Sequence, residues 1–277
     1  MIYLILAIVS SAMISVLMRA SEKHAEGGVS MLAANYLMCC LLSLIFTGSV
    51  ELFPASPDLP RALFLGVING ILFLTSFVLL QWNISKNGVV LPATFMKLGV
   101  LVPTLLSILV FREMPRVTQV LGIVLAVASI LMIQGKDKQQ ARSTSGLVCL
   151  LLAGGSADAM SKVYEELGPA PLKDHFLLYT FIIAMILCIF LCVVKKQPIT
   201  LRNFLWGLAI GIPNYLSTRF LLLSLDQVPA VVAYPTFSVG VIVLAAATSL
   251  LVFHEKPNRR TLVGLGVIMA SLALLNI

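Results

Sequence analysis

Polar residues punctuate this chain; they do not alternate along it. Ten apolar runs occupy about 2–20, 29–49, 61–82, 88–111, 116–134, 145–165, 174–194, 203–224, 228–252 and 259–276. Each approaches the roughly 20 residues an α-helix needs to cross a ~30 Å hydrocarbon core. The breaks between them are short, one marked by Pro54, Pro57 and Pro60 and the longest by Lys136–Ser145. Lipid offers the backbone no hydrogen-bond partner, so apolar runs of this length must satisfy themselves as helices. The pattern predicts an all-α integral membrane protein with ten transmembrane helices.

The runs are also repeated. Ser107–Pro115, SILVFREMP, returns as Ser249–Pro257, SLLVFHEKP, with six of nine residues identical at an offset of 142. The same offset pairs Val89, Val90, Thr94 and Phe95 with Val231, Val232, Thr236 and Phe237, and Gly122, Ala128 and Ser129 with Gly264, Ala270 and Ser271. An internal repeat bounds the architecture before any motif is read. The boundaries are a first repeat at 1–135, a linker at 136–145 and a second repeat at 146–277. With five crossings per copy, the second copy enters the membrane from the opposite face, which predicts two inverted five-helix repeats. Gly66–Gly70 (GVING) and Gly207–Gly211 (GLAIG) fall at matching places in the third and eighth crossings, and GxxxG lets helix backbones approach closely in lipid.

Composition agrees. The chain is 59% hydrophobic and 11% charged, against about a quarter charged in a soluble domain; its mean hydropathy is +1.02. The formal charge of +7 does not mark nucleic-acid binding, because Lys and Arg stand singly or in small groups without aromatic interleaving. It reads as topology. One set of alternate loops holds twelve basic residues and the other four: Arg61, Arg112, Arg116 and Lys173. The positive-inside rule puts the twelve in the cytoplasm and both termini outside. All five cysteines lie inside apolar runs without metal-ligand spacing and read as packing residues. The first run has neither a basic leader nor a cleavage-like tail, and reads as a retained helix.

Ten crossings in two halves, with F-x-E-x-P joining crossings four to five and nine to ten, resemble the EamA-type drug/metabolite transporters along essentially the whole chain. The resemblance implies a cavity lined mainly by crossings 1, 3, 4, 6, 8 and 9, with crossings 5 and 10 peripheral. It also implies no metal or organic cofactor, and cytoplasmic termini, opposite to the charge count. Relatives move amino acids, nucleotide sugars, phosphorylated metabolites and drugs. The related small multidrug resistance transporters carry a glutamate in the first helix. Here that helix offers Ser10, Ser11 and Ser15, while the sixth crossing carries Asp158.

An ionisable side chain at bilayer depth costs at least ~2.5–3.5 kcal/mol and needs a reason. Lys97, deep in the fourth crossing, is either a cation on the cavity wall that attracts an anionic substrate group or a structural lysine paired with a carbonyl or Asp158. Asp158 lies four residues before Lys162, spaced for a pair on one helix face. Unpaired, it is a candidate proton carrier; paired, a lock. Lys162 and Arg219 lie near helix ends, where long stems snorkel, yet a guanidinium suits carboxylate or phosphate. Pro92 and Pro235 read as paired kinks, with Thr94, Thr236 and Tyr234 offering hydroxyls beside the cavity. By the 142 offset, Lys97 falls opposite Val239. Asn69, Asn214 and Ser238 are further polar candidates, equally suited to interhelical hydrogen bonds. Glu113 and Glu255, two residues before prolines, read as structural carboxylates at the start of the next helix. His24, His175 and His254 lie in or beside loops and support no active site.

These residues point to a secondary-active or facilitative transporter in the inner (plasma) membrane, working by alternating access. The expected substrate is a small polar metabolite, amino-acid-like or otherwise bearing an anionic group. The alternative is proton-coupled efflux of cationic drugs or amines using Asp158. An enzyme acting on lipid would need clustered His, Asp or Glu at one face, which the sequence lacks. The expected partners are the substrate, protons as a coupling ion and the bilayer, with no nucleic acid, in a monomer or loose homodimer.

Overall fold

The computed structural model describes residues 1–21, 28–48, 51–87, 90–134, 143–251 and 259–275. Every regular element among them is helical: α1 Ile2–Ser21, α2 Val29–Thr47, α3 Leu59–Asn87, α4 Val90–Leu98, α5 Leu101–Leu109, α6 Val117–Gln134, α7 Thr144–Leu167, α8 Lys173–Val194, α9 Leu201–Leu225, α10 Ala230–Leu251 and α11 Arg259–Leu275, with one 3-10 turn at Ala170–Leu172. Eight spans are long and apolar enough to cross a membrane, α4 and α5 together forming one of them as Pro92–Leu109; the shorter apolar helices Val117–Met132 and Leu262–Leu275 lie in α6 and α11. The linker expected at 136–145 falls mostly outside the described residues, as do Glu255, His24 and His254.

Helix ends follow local chemistry. Ser143 accepts from the Gly146 N–H before α7, and Thr200 from the Asn203 N–H before α9, each satisfying one of the N–H groups a helix start leaves open. The fourth crossing breaks between Leu98 and Leu101, and the cause is not Pro92. That proline sits in the first turn of α4, where a missing N–H costs nothing. Pro103 is responsible: its ring clashes with the carbonyl four residues earlier, which is Gly99. The chain tightens there, Val102 N–H donating to Gly99 O at 2.9 Å. Pro235, by contrast, sits inside the continuous helix α10.

The packing is nearly unchanged when the halves are exchanged. α2 lies on α9 as α3 lies on α8; α1 meets α9 as α7 meets α3, and α1 meets α10 as α7 meets α4. The two small-residue motifs occupy equivalent places. A methyl on Gly70 would come within 2.6 Å of the Thr180 carbonyl on α8, and one on Gly211 within 2.6 Å of the Asn35 carbonyl on α2. These contacts bring backbones together and extend dispersion contact where water supplies no hydrophobic drive. Aromatic rings fill the α2–α3–α8–α9 interior, Tyr164 stacking on Phe176 at 4.1 Å between α7 and α8. α6 and α11 pack on each other.

Candidate functional site

Six crossings enclose a cavity of about 510 Å³, lined from α1, α3, the α4–α5 segment, α7, α9 and α10. This is the set the family resemblance implies, and among the described residues α6 and α11 contribute nothing to the lining. Its walls pair across the two halves: Phe73 with Asn214, Leu80 with Leu221, Ala93 with Tyr234, Met96 with Phe237, Lys97 with Ser238 and Val100 with Val241 all line it, each pair 141 residues apart in the sequence. The cavity-facing register is thus one residue off the offset that counts most identities. Lys97 has Ser238 as its counterpart, correcting Val239, which is buried against Ala126 and Ile268.

The pairs differ in exposure. Met96 is exposed where Phe237 is half-buried, and Leu80 and Ala93 are half-buried where Leu221 and Tyr234 are buried. The lining from the later part of α3 and from α4 is thus more exposed than its counterpart from the later part of α9 and the start of α10, at the end that carries the N-terminus.

Lys97 and Asp158 both face this cavity, one from each half. Asp158 is exposed on the long helix α7, and Lys97 is half-buried in the last turn of α4, beside the break in the fourth crossing; both charges open onto the cavity at a depth where a charge sealed in lipid is costly. Their charges act on each other, yet neither takes part in an ion pair within 4.0 Å among the described residues. A ligand can reach both.

Tyr234, Asn214 and Ser238 also line the cavity. The Tyr234 hydroxyl donates to the Asp158 backbone carbonyl at 3.0 Å, fixing α10 against α7 beside the carboxylate. Asn214 donates to Asn35 Oδ1 on α2 at 2.8 Å, so it both lines the cavity and holds an interhelical contact.

Five expected residues stand elsewhere. Thr94 and Thr236 are buried off the lining, and Thr236 Oγ1 has no hydrogen-bond partner among the described residues. A rotation of one residue, about 100° on a helix, turns both away from the cavity. Asn69 lies under α8, donating to Thr180 Oγ1 at 3.4 Å. Arg219 clasps Asp174 at the start of α8, Nε to Oδ1 at 2.8 Å and Nη2 to Oδ2 at 3.2 Å, and lies 4.3 Å from the Phe46 ring centre. Its fork is occupied by protein, and Asp174, which the sequence did not single out, is its partner.

Lys162 does not pair with Asp158. Its amine reaches Glu113 at 2.8 Å, Glu165 at 2.7 Å and Glu166 at 2.5 Å, because the helix offers it acids three and four residues onward as well as one four residues back. Glu113 serves another helix than the one expected. Its second oxygen accepts from the Val231 N–H at 3.0 Å, in the first turn of α10. Arg112, at φ 57, bends the turn through the left-handed region just before it.

Sequence reasoning missed Ser161, Ser217 and Thr218, all lining residues. They stand three or four positions from Asp158 or Asn214, so helical periodicity around the chosen residues carries the signal for them.

The chain matches the EamA-like transporter family model twice, at residues 1–135 and 144–277. An uncharacterized protein of Haemophilus influenzae is 24% identical over 279 residues, covering 95% of this chain and 93% of its own. A protein of known crystal structure shares the fold with a TM-score of 0.73 at 14% identity, over 99% of this chain and 98% of its own. A family model that covers both halves of a chain built from long apolar helices leaves one assignment: this is a multi-pass membrane protein, and it belongs to the EamA-like transporter family.

Proposed function

We propose that the chain carries a small zwitterion with an apolar side chain, amino-acid-like in its chemistry, across the inner membrane by alternating access. One observation supports this above the rest: Lys97 and Asp158 face one cavity from opposite halves, without an ion pair between them among the described residues. A carboxylate on Lys97 and an amine on Asp158 would neutralise both charges inside the bilayer. The volume lies within the ~300–1,000 Å³ of small-molecule sites. The walls also have a polarity. The second half supplies Asp158, Ser161, Asn214, Ser217 and Thr218, and the first half Phe73, Leu80 and Ile84, a surface for an apolar side chain.

Uptake into proteoliposomes tests the assignment. Lys97→Met is expected to abolish uptake of a zwitterionic amino acid while eluting as a monodisperse species; normal uptake overturns it. The exposed Asp158 carboxylate favours a second reading, proton-coupled efflux of an amine. Under that reading Asp158→Asn abolishes dependence on a pH gradient while Lys97→Met leaves transport intact.

With the charge count for orientation, the open end faces the cytoplasm. In this reading the structure is the inward-open state.

A further inference from the structure

The end of the cavity with the more buried lining carries a charge cluster that the transport site does not use. Glu113, in the turn after α5, joins two elements of the other half at once: it pairs with Lys162 on α7 and accepts from the first-turn amide of Val231 on α10. Lys162 is 4% exposed, and the Phe111 ring lies 5.6 Å from its amine. Both contacts sit one helical turn outward from the binding site. Lys162 follows Asp158 by four residues, and Val231 precedes Tyr234, whose hydroxyl closes on the Asp158 carbonyl. Opening this end for alternating access requires α7 and α10 to part from the α5–α6 turn, and Glu113 holds both to it.

We propose that Glu113 and Lys162 form the gate at the terminus-bearing end, closed here and broken in the opposite-facing state. Glu165 and Glu166, at 2.7 and 2.5 Å from the same amine, then have a function beyond neutralising it. They keep the lysine paired after Glu113 withdraws, so the open state strands no buried cation. Breaking a buried pair is costly mainly when one charge is left uncompensated; these two acids remove that cost and make the gate reversible. Tyr234 links gate to site, because moving α10 off Glu113 also moves the hydroxyl that rests on Asp158.

The inference rests on the alternating-access reading, and its test separates the two. A cysteine at Ser161, on the cavity wall one residue before Lys162, is probed with a membrane-impermeant maleimide applied to either face of oriented proteoliposomes, the chain without this cysteine serving as blank. The parent is expected to label from the α3–α4 face and weakly from the terminus-bearing face. Glu113→Gln and Lys162→Met should each raise labelling from the terminus-bearing face roughly tenfold, the shift in an open-to-closed ratio that about 1.4 kcal/mol produces. Lys162→Arg, which keeps the charge, should stay near the parent. Folded Glu113→Gln and Lys162→Met with parental labelling overturn the gate. Loss of folding in both, with Lys162→Arg intact, overturns it too, since the cluster is then fixed scaffold. A parent that labels from neither face refutes the alternating cavity itself, whatever the gate does.

Discussion

Two adjacent glycines on α7 should respond oppositely to the same added methyl group. A Cβ on Gly154 would meet no atom within 4 Å, whereas a Cβ on Gly155 would lie 2.4 Å from the Gly99 carbonyl and 2.5 Å from Val102 Cγ2. Relieving the second clash to ordinary contact means parting α7 from the broken fourth crossing by about 1 Å, and overpacking of this kind costs ~1–3 kcal/mol. Gly154→Ala incurs none of that cost and recovers up to ~1 kcal/mol of helix propensity. Thermal unfolding in detergent should therefore place the two variants about 2–4 kcal/mol apart, with Gly154→Ala at or above the parent. The consequence reaches function, because Gly99 lies two residues from Lys97. Moving that backbone changes the separation of Lys97 from Asp158, so Gly155→Ala should weaken uptake even at temperatures where it stays folded. Equal stabilities for the two variants would refute the claim that the break at Gly99 seats directly on Gly155.

Arg219→Ala removes both the bidentate pair with Asp174 and the stack on Phe46; a loss of about 1–3 kcal/mol in unfolding free energy is expected, with cavity labelling unchanged, since Arg219 does not line the site. Altered labelling at Ser161→Cys would show that it does reach the site. Lys86 is exposed at the end of α3. A cysteine in its place should resist an impermeant maleimide in intact cells if the positive-inside count is right, and ready labelling would place the termini in the cytoplasm.

The scaffold was legible because lipid is unforgiving. Ten apolar runs have one structural solution, and Lys97 and Asp158 stand out because charge at depth needs a reason. What stayed hidden depends on rotation and on distant partners. Identity matching at 142 rewards Thr94 with Thr236 and Phe95 with Phe237, yet a helix shifted by one residue turns a different face inward, and the lining pairs run at 141. A sequence cannot report which face is wet. Arg219 and Asp174 are 45 residues apart on helices whose adjacency only the packed bundle sets. Lys162 had acids available before and after it, and it takes the two after it together with Glu113, which arrives from the other half. The fourth crossing was expected to bend at Pro92; its break follows Pro103, whose ring meets the carbonyl of Gly99 four residues earlier.

The lopsided walls of the cavity also show what the two halves do not share. Lys97 comes from the first half and Asp158 from the second, and the residue matched to Lys97 across the cavity is Ser238. Two copies of the first half, assembled around a twofold axis, would set lysine against lysine; two copies of the second would set aspartate against aspartate. An opposite-charge pair cannot exist in any twofold dimer of one such half. The pair of opposite charges that the cavity presents thus belongs to neither half alone, and exists only where the two different halves meet.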